Sequence, residues 1–540
     1  MTGPNPRPRF AYRRRPDQDA PTPVRHPVAI VGGGMVGLTL ALELIAEGVR
    51  PVVLERNDTV VEGSRSICQA KRSLEIWNRF GGVGDRIRAR GVTWSTGKVF
   101  FRHELLYEFD LQPEGGHQMP AFVNLQQYLV EGLLVEQVLR AGAEIRWLHA
   151  AGAITRYDDH VAIEVTTPEG NYPLECDWLI ACDGAGSGVR KQLGLTPAGE
   201  VFADKFLITD VRMQAPFPAE RRFWFEPPFH PGQTALLHRQ ADDVWRIDLQ
   251  LGHDADPVAE RDPVRVTERV CKMLGPEIDF ELEWTSVYVF QCRTLDRYVH
   301  GRVIFAGDSA HQVSPFGARG GNAGVQDADN LAWKLARVVR GSAGQALLAS
   351  YQSERRAGAG EDILHSTRAT NFMTPKTRAS RAMRDAALAL AREDPVYRPV
   401  INSGRLSVPA HFEDSPLNTP DTQPFATRLA PGSPAVDAPL TVDGDEGWLL
   451  PELGGSFTLL IAGEGPAGLP DSIVAAGESV RVVRIGGARC RDTEGLATAR
   501  YDFRPGTCYL FRPDQYLAAR CREFDGVWLE RAVSTALARP

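Results

Sequence analysis

The chain has 540 residues, 43% apolar and 24% charged, and its 61 basic and 68 acidic side chains leave a formal net charge of −7. That length exceeds what one hydrophobic core supports, so more than one domain is expected, with the composition of a soluble globular protein. The charge gives no reason to expect nucleic acid or an anionic membrane as partner. No apolar run approaches the ~20 residues that span a bilayer. Eight scattered cysteines, with no CxxC pair and no metal-like spacing, read as reduced thiols of a cytoplasmic protein without a metal site.

Residues 1–26 are rich in Pro and Arg and poor in apolar side chains, so a disordered tail is expected. Arg13-Arg14-Arg15 is followed by no apolar segment, which argues against an export signal. Val28 to Val31 form a buried strand, followed at once by the glycine run Gly32-Gly33-Gly34-Met35-Val36-Gly37 and a helical pattern. A second strand, Pro51 to Leu54, ends in Glu55. In this setting Gly32 makes the tight turn, Gly34 lets main chain reach a pyrophosphate, Gly37 permits close helix packing, and Glu55 accepts from ribose hydroxyls. An ADP-containing dinucleotide is therefore expected.

Arg65, in the loop 63–67, precedes a helix from about Arg72, and a further helix over 124–139 carries Gln126 and Gln127 at its start. Strands at 143–148 and 160–166 lead to an apolar strand ending in Cys182-Asp183-Gly184 and then Arg190. Residues 200–292 change character to antiparallel strands with aromatic faces, where alternation puts His238 with Gln240, and Arg246 with Asp248, on common faces. His238 and Asp248 are the candidates to orient or deprotonate a phenol; the plainer alternative is a solvated sheet face.

Val303 to Ala306 form a short buried strand that ends in Gly307-Asp308, and Pro315, Gly317, Gly320, Gly321 and Gly324 follow. A helix is expected to open at Asp327, its amino end suited to a group that becomes anionic during chemistry. Residues 394–439 have the composition of a linker, and beyond them strands at 457–462 and 480–485 with a helix near 466–476 suggest a small α/β module.

GGGMVG with Glu55, DGAGSGVR at 183–190, and GDSAH at 307–311 followed by Pro315 and GARGGNAGVQDADNLAWKL resemble the class A single-component flavoprotein monooxygenases, the aromatic hydroxylases. The resemblance implies an α/β fold with a Rossmann-like FAD-binding domain (27–199 and 293–400), its first part interleaved with strands of an antiparallel-sheet substrate domain (200–292). A linker (401–435) and a thioredoxin-like α/β domain (436–540), as in the phenol and 3-(3-hydroxyphenyl)propionate hydroxylases, complete the expected chain. Without a CxxC the last domain is expected to serve packing or dimerisation rather than redox work.

By the same resemblance Gly32, Gly34, Gly37 and Glu55 hold the ADP half of FAD, and Arg65 with Gln126 or Gln127 contacts the pyrophosphate and ribityl region. Asp183, supported by Arg190, serves FAD and transient NAD(P)H. Asp308 binds the ribityl hydroxyls, while Pro315 and the main chain of Gly320, Gly321 and Asn322 flank the isoalloxazine. Arg319 and Gly321 depart from the Gln and Met common in the family, which leaves the substrate side open. The implied reaction is hydroxylation of a phenol with NAD(P)H and O2 through a flavin C4a-hydroperoxide, by a homodimer; the alternatives are a larger polycyclic or heteroaromatic substrate, or a non-catalytic binding protein on the same fold.

Overall fold

Val28 to Val31 are buried because their strand, Val24–Val31, runs between two parallel neighbours, Gly170–Ala181 and Val52–Glu55. Val303–Phe305 joins beyond the first and Glu144–Trp147 beyond the second, giving five parallel strands at the heart of an eight-stranded sheet. The computed structural model describes residues 7–63, 65–401, 406 and 408–539. Register fixes the site. Val31 pairs with Ala181 and with Leu54, and Ala181 pairs with Phe305, so the carboxyl ends of all four strands lie along one edge. The residues that follow them, Gly32, Cys182-Asp183, Gly307-Asp308 and Glu55, must share that edge, where open α/β sheets bind ligands.

Packing against this sheet come Met35–Ala46, Gln127–Arg140 and Gly320–Val339, with a continuous apolar core between them. The last of these begins at Gly320, not at Asp327 as its apolar spacing suggested. Glycines are poor helix formers, but here tertiary packing overrides propensity: a Cβ on Gly321 would lie 2.6 Å from Ser66 Oγ and 2.8 Å from Met35 Cε. Only a bare backbone lets this helix end meet the glycine-loop helix and the loop 63–67 at once.

The second sheet holds Ala198–Arg212, Arg221–Phe225, Thr234–Arg239, Val244–Gly252 and Glu281–Thr294, and also recruits Thr96–Phe101 and Glu104–Asp110 from the first part of the chain. One face packs on the helix Pro263–Leu274 through Leu237, Trp245 and Ile247. The other, carrying Phe206, Leu236 and Phe290, faces the first domain and the long helix Ala346–Met373. Residues 439–537 form an α/β module, with parallel strands Phe457–Ala462 and Glu478–Ile485 at the centre of a mixed sheet. The helix expected near 466–476 is absent; Ser472–Ala475 is a strand paired with Glu478–Ile485.

Two stretches with the composition of free chain are packed. Residues 7–23 of the expected disordered tail pack on the first sheet: Phe10 stacks on Trp147 at 4.1 Å, and Arg146 pairs with Asp17 at 2.8 Å; residues 1–6 lie outside the described ones. Composition hid this because the stacking partners are distant in the chain. Among its described residues the expected linker 401–435 carries no strand, yet Phe412 and Leu417 are buried, with Phe412 stacked on Tyr516 at 4.7 Å. Residues 402–405 and 407 of that stretch lie outside the described ones.

One buried carboxylate joins this strap, the first domain and the C-terminal module. Glu354, 2% exposed, accepts from Arg512 Nη1 (2.6 Å), Lys334 Nζ (2.6 Å), Asn330 Nδ2 (2.7 Å) and Ser415 Oγ (2.5 Å). Burial alone would raise its pKa, but Arg512 and Lys334 outweigh burial and hold it below the usual carboxylate range. Removing one partner of such a pair leaves an uncompensated buried charge, at a cost of about 3–5 kcal/mol. Arg512→Ala is therefore expected to destabilise the protein by about that amount, read as a lowered midpoint of urea unfolding. A midpoint unchanged from wild type would reduce the cluster to incidental contact.

Candidate active site

Two helix amino ends point at the shared strand edge. Gly34 caps Met35–Ala46 and Arg319 caps Gly320–Val339, and neither contributes a side-chain cap, although at the first end Glu131 draws on the Met35 N–H. Each end also carries part of a helix dipole, about half a positive charge. Gly37 lets the first helix sit tight on the turn, since a Cβ there would lie 2.0 Å from Gly32 O. Gly32 itself has φ +108°, a conformation open to glycine. A Cβ on Gly34 would meet only Glu131 Oε1 at 3.6 Å, which leaves the main chain there open to a ligand.

Glu55 ends its strand as expected, accepting from Gly33 N (2.7 Å) and from Asn57 N (2.9 Å) and Nδ2 (2.7 Å). Gln127 Oε1 accepts from Arg65 N (3.2 Å) and Ser66 N (3.0 Å), so it holds the loop that carries Arg65; Ser64 of that loop lies outside the described residues. Arg65 lies over the Tyr288 ring at 5.4 Å. Gln126 turns away from this loop and donates to Ala241 O at 3.0 Å in the second domain.

Asp183 accepts from Val189 N at 3.2 Å through Oδ2, while its Oδ1 is buried without a partner. Arg190 donates to the carbonyls of Asp308 (3.3 Å) and Ser309 (2.9 Å), bracing one strand end against the next. Asp308 and Pro315 keep exposed surface. Although the residue keeps this surface, the protein packed around the Asp308 carboxyl desolvates it and raises its pKa, against the pull of His311 and Arg65. The Asn322 side chain is fully spent, accepting from Ala70 N (3.0 Å) and Ser73 Oγ (2.7 Å) and donating to Cys68 O (2.9 Å), so only its main chain can serve a ligand.

The helix Gly320–Val339 is fixed from below by Asp327. It accepts from Gly307 N (2.8 Å), His311 Nε2 (2.6 Å) and Arg355 Nε (2.6 Å). Burial favours the neutral acid, yet His311 and Arg355 together hold the carboxyl down at about 2.

His238 and Asp248 lie on the inner face of the second sheet with Arg221, Arg246 and Tyr288, not on a solvated face. Arg246 is locked by Asp210 through bonds of 2.8 Å from Nε and Nη2. Asp248 Oδ1 and His238 Nδ1 are buried without partners. Burial pushes Asp248 up to about 6 despite Arg246 and Arg221. Burial also drives His238 well below its ordinary value, helped by the same two arginines, so the ring is neutral. Arg221 of this group also lines a cavity of about 370 Å³ with Phe109, Phe223, Phe225, Phe316, Phe372 and Arg319, whereas His238 and Asp248 are not among its lining residues. Phe316, Gly317 and Arg319 lead straight into Gly320, so the cavity adjoins the helix's amino end.

Sequence reasoning missed two groups. Glu131, 1% exposed, accepts from Val61 N at 2.8 Å and from Gln127 Nε2 at 2.9 Å, next to Gly34. Its position four residues after Gln127, on the same helix face, was the available signal. Arg221 was hidden in a run of aromatic strand residues. No cluster suited to a metal ion occurs among the described residues, and none of their helices is long and apolar enough to cross a membrane.

The cleft's own groups suit FAD. A pyrophosphate would find open main chain at Gly34, polyol hydroxyls would find Asp308 and the unpartnered Asp183 oxygen, and a flat ring would find backbone without a Cβ at Gly320. A family model described as "FAD binding domain" matches residues 25–364. The 6-methylpretetramide 4-monooxygenase of Streptomyces rimosus is 31% identical over 94% of this chain and 91% of its own. The 3-(3-hydroxy-phenyl)propionate/3-hydroxycinnamic acid hydroxylase of Klebsiella pneumoniae is 27% identical over 91% of each. Among solved structures, the flavin-dependent monooxygenase PieE, in complex with FAD and substrate, superposes with a TM-score of 0.82, covering 96% of this chain and 100% of that one at 24% identity, a likeness of fold.

Glu131 yields a prediction. Burial pushes its carboxyl up to about 7, against hydrogen bonds from Val61 N–H and Gln127. A carboxylate beside a pyrophosphate repels it, so FAD affinity is expected to fall as pH rises from 6 to 8, when Glu131 ionises. Glu131→Gln should remove that slope and bind FAD at least as tightly as wild type at pH 8, read by fluorescence titration of the apoprotein. A slope that survives the substitution would assign the pH dependence to another group.

Proposed function

Because this chain belongs to the FAD-binding family of flavoprotein monooxygenases and carries FAD as its cofactor, we propose that it hydroxylates a fused-ring phenol using NAD(P)H and O2. The observation that carries this reading is the aromatic cavity of about 370 Å³ ending at Phe316 and Gly317, beside the uncapped amino end of Gly320–Val339. A cavity of about 150 Å³ accommodates benzene, so this one has room for more than one ring. Its phenylalanines suit flat apolar faces. The relative named for 6-methylpretetramide, matched along nearly the whole chain, supports the same size class.

Gly34, Glu55, Gln127 and Arg65 would hold the ADP and pyrophosphate, Asp183 and Asp308 the ribityl chain, and Pro315 with the main chain of Gly320 to Asn322 the isoalloxazine. When bound, FAD supplies hydride acceptance and oxygen activation. The chain's residues do the rest. The amino end of the Gly320 helix stabilises negative charge on the ring edge. The phenylalanine walls exclude water and so protect the activated oxygen. Asp248, with a free Oδ1 on the sheet face that reaches the cavity through Arg221, is the candidate base for the phenol proton, and neutral His238 the candidate to orient the hydroxyl.

A general base must be ionised to act. The hydroxylation rate at low substrate is therefore expected to rise as pH increases through about 6, the value set for Asp248. Asp248→Asn should lower that rate by about 10²–10⁴-fold and abolish the rise, while leaving FAD content unchanged. A variant that retains the wild-type profile would exclude Asp248 as the base. Asp308→Ala is expected to yield largely colourless protein, and stoichiometric yellow FAD in it would refute the ribityl role. Substrate class is tested by naphthols and anthrols against phenol: substrate-stimulated NAD(P)H oxidation with one ¹⁸O atom from labelled O2 entering a fused-ring product is expected. Equal coupled turnover of phenol alone would contradict it.

A further inference from the structure

The cavity's polar lining is one-sided. Lys98, Arg221, Arg319, His365 and Arg368 contribute to it, and no Asp or Glu does. Most of this charge is already spent. Lys98 is paired with Glu220 at 2.9 Å and Glu108 at 3.3 Å, Arg319 with Asp362 at 3.3 Å, and His365 lies 3.9 Å from Glu361. Arg221 and Arg368 differ: among the described residues neither guanidinium has a hydrogen bond or an ion pair within 4.0 Å.

Arg368 is exposed, where an unpaired guanidinium costs little. Arg221 is 8% exposed, and there the cost is real, because a buried charge without a partner loses hydration with nothing in return. The neighbouring basic group on the same sheet face, Arg246, is saturated by Asp210, and the nearby Asp248 does not reach ion-pair distance of Arg221. Arg221 stands opposite Gly97 on the adjacent parallel strand, where a Cβ would lie 2.1 Å from the Phe109 ring. Arg221 lines the cavity together with Phe109, Phe223, Phe225 and Phe316.

We infer that the cavity selects fused-ring aromatics bearing an ionised oxygen substituent, and that Arg221 is the residue that reads it. A planar guanidinium offers two parallel N–H donors to a carboxylate or comparable oxyanion, a match that a neutral group of the same shape does not reproduce. Arg368, exposed on the cavity lining, contributes attraction but little selectivity. This inference rests on the cavity being the substrate site, and the two are tested by different readouts.

The experiment titrates FAD-loaded protein, without NAD(P)H, with 3-hydroxy-2-naphthoate and with its uncharged amide, following the flavin absorbance perturbation. The wild type is expected to bind the carboxylate about tenfold more tightly than the amide. Arg221→Gln should bring the two within about twofold, chiefly by weakening the carboxylate, with FAD content unchanged. Arg221→Lys should restore part of the preference, and Arg368→Gln should change it by no more than about threefold. Equal binding of the two compounds by wild-type protein overturns the inference without any variant having to fold. A preference that survives in Arg221→Gln also overturns it. If neither compound perturbs the flavin, the cavity reading fails with it, whereas coupled turnover of uncharged naphthols alongside equal binding leaves that reading standing and this inference rejected.

Discussion

Asp327 accepts from the Gly307 N–H, from His311 and from Arg355, and the geometry of the cleft depends on that junction. It joins the end of one parallel strand, the turn after it and the long helix Ala346–Met373 to the second turn of the helix that starts at Gly320. Breaking it would free that helix to move relative to the strand edge. The charges compensate one another: burial disfavours an ionised Asp327, and the two cations facing it more than offset that penalty.

From this junction the arrangement extends in both directions. Along the sheet edge, Arg190 carries the constraint to the next strand end by bonding the carbonyls of Asp308 and Ser309. Along the helix, Asn330 and Lys334 carry it to Glu354 and so to Arg512 of the C-terminal module. The module therefore takes part in fixing the helix whose amino end adjoins the cavity, although it holds no CxxC. Functional groups on rigid elements braced by such second layers are held more closely than groups on loops.

Much of this was legible in the sequence, and the exceptions have physical causes. Glycines 32, 34 and 37, Glu55, Asp183 and Asp308 were visible because each strand that carries them is a short apolar run ending in chemistry. The start of the flavin-loop helix was misplaced because glycine propensity argues against helix where packing demands a bare backbone, at Gly321 against Ser66 and Met35. Residues 7–23 and the strap around Phe412 and Leu417 have the composition of free chain and are ordered by partners more than a hundred residues away, such as Trp147 and Tyr516. Glu131 and Arg221 were passed over because charged residues in amphipathic elements are assigned to the solvated face by default.

The central claim is that four strand ends and one helix amino terminus converge on the flavin. A crystal structure of the FAD-loaded protein tests it directly. The account predicts the isoalloxazine beside Pro315, with its pyrimidine edge about 3 Å from main-chain N–H groups of Gly320 to Asn322, and the ribityl chain at Asp308. An isoalloxazine lying away from that helix end, or a ribityl chain with no contact to Asp308, would contradict it.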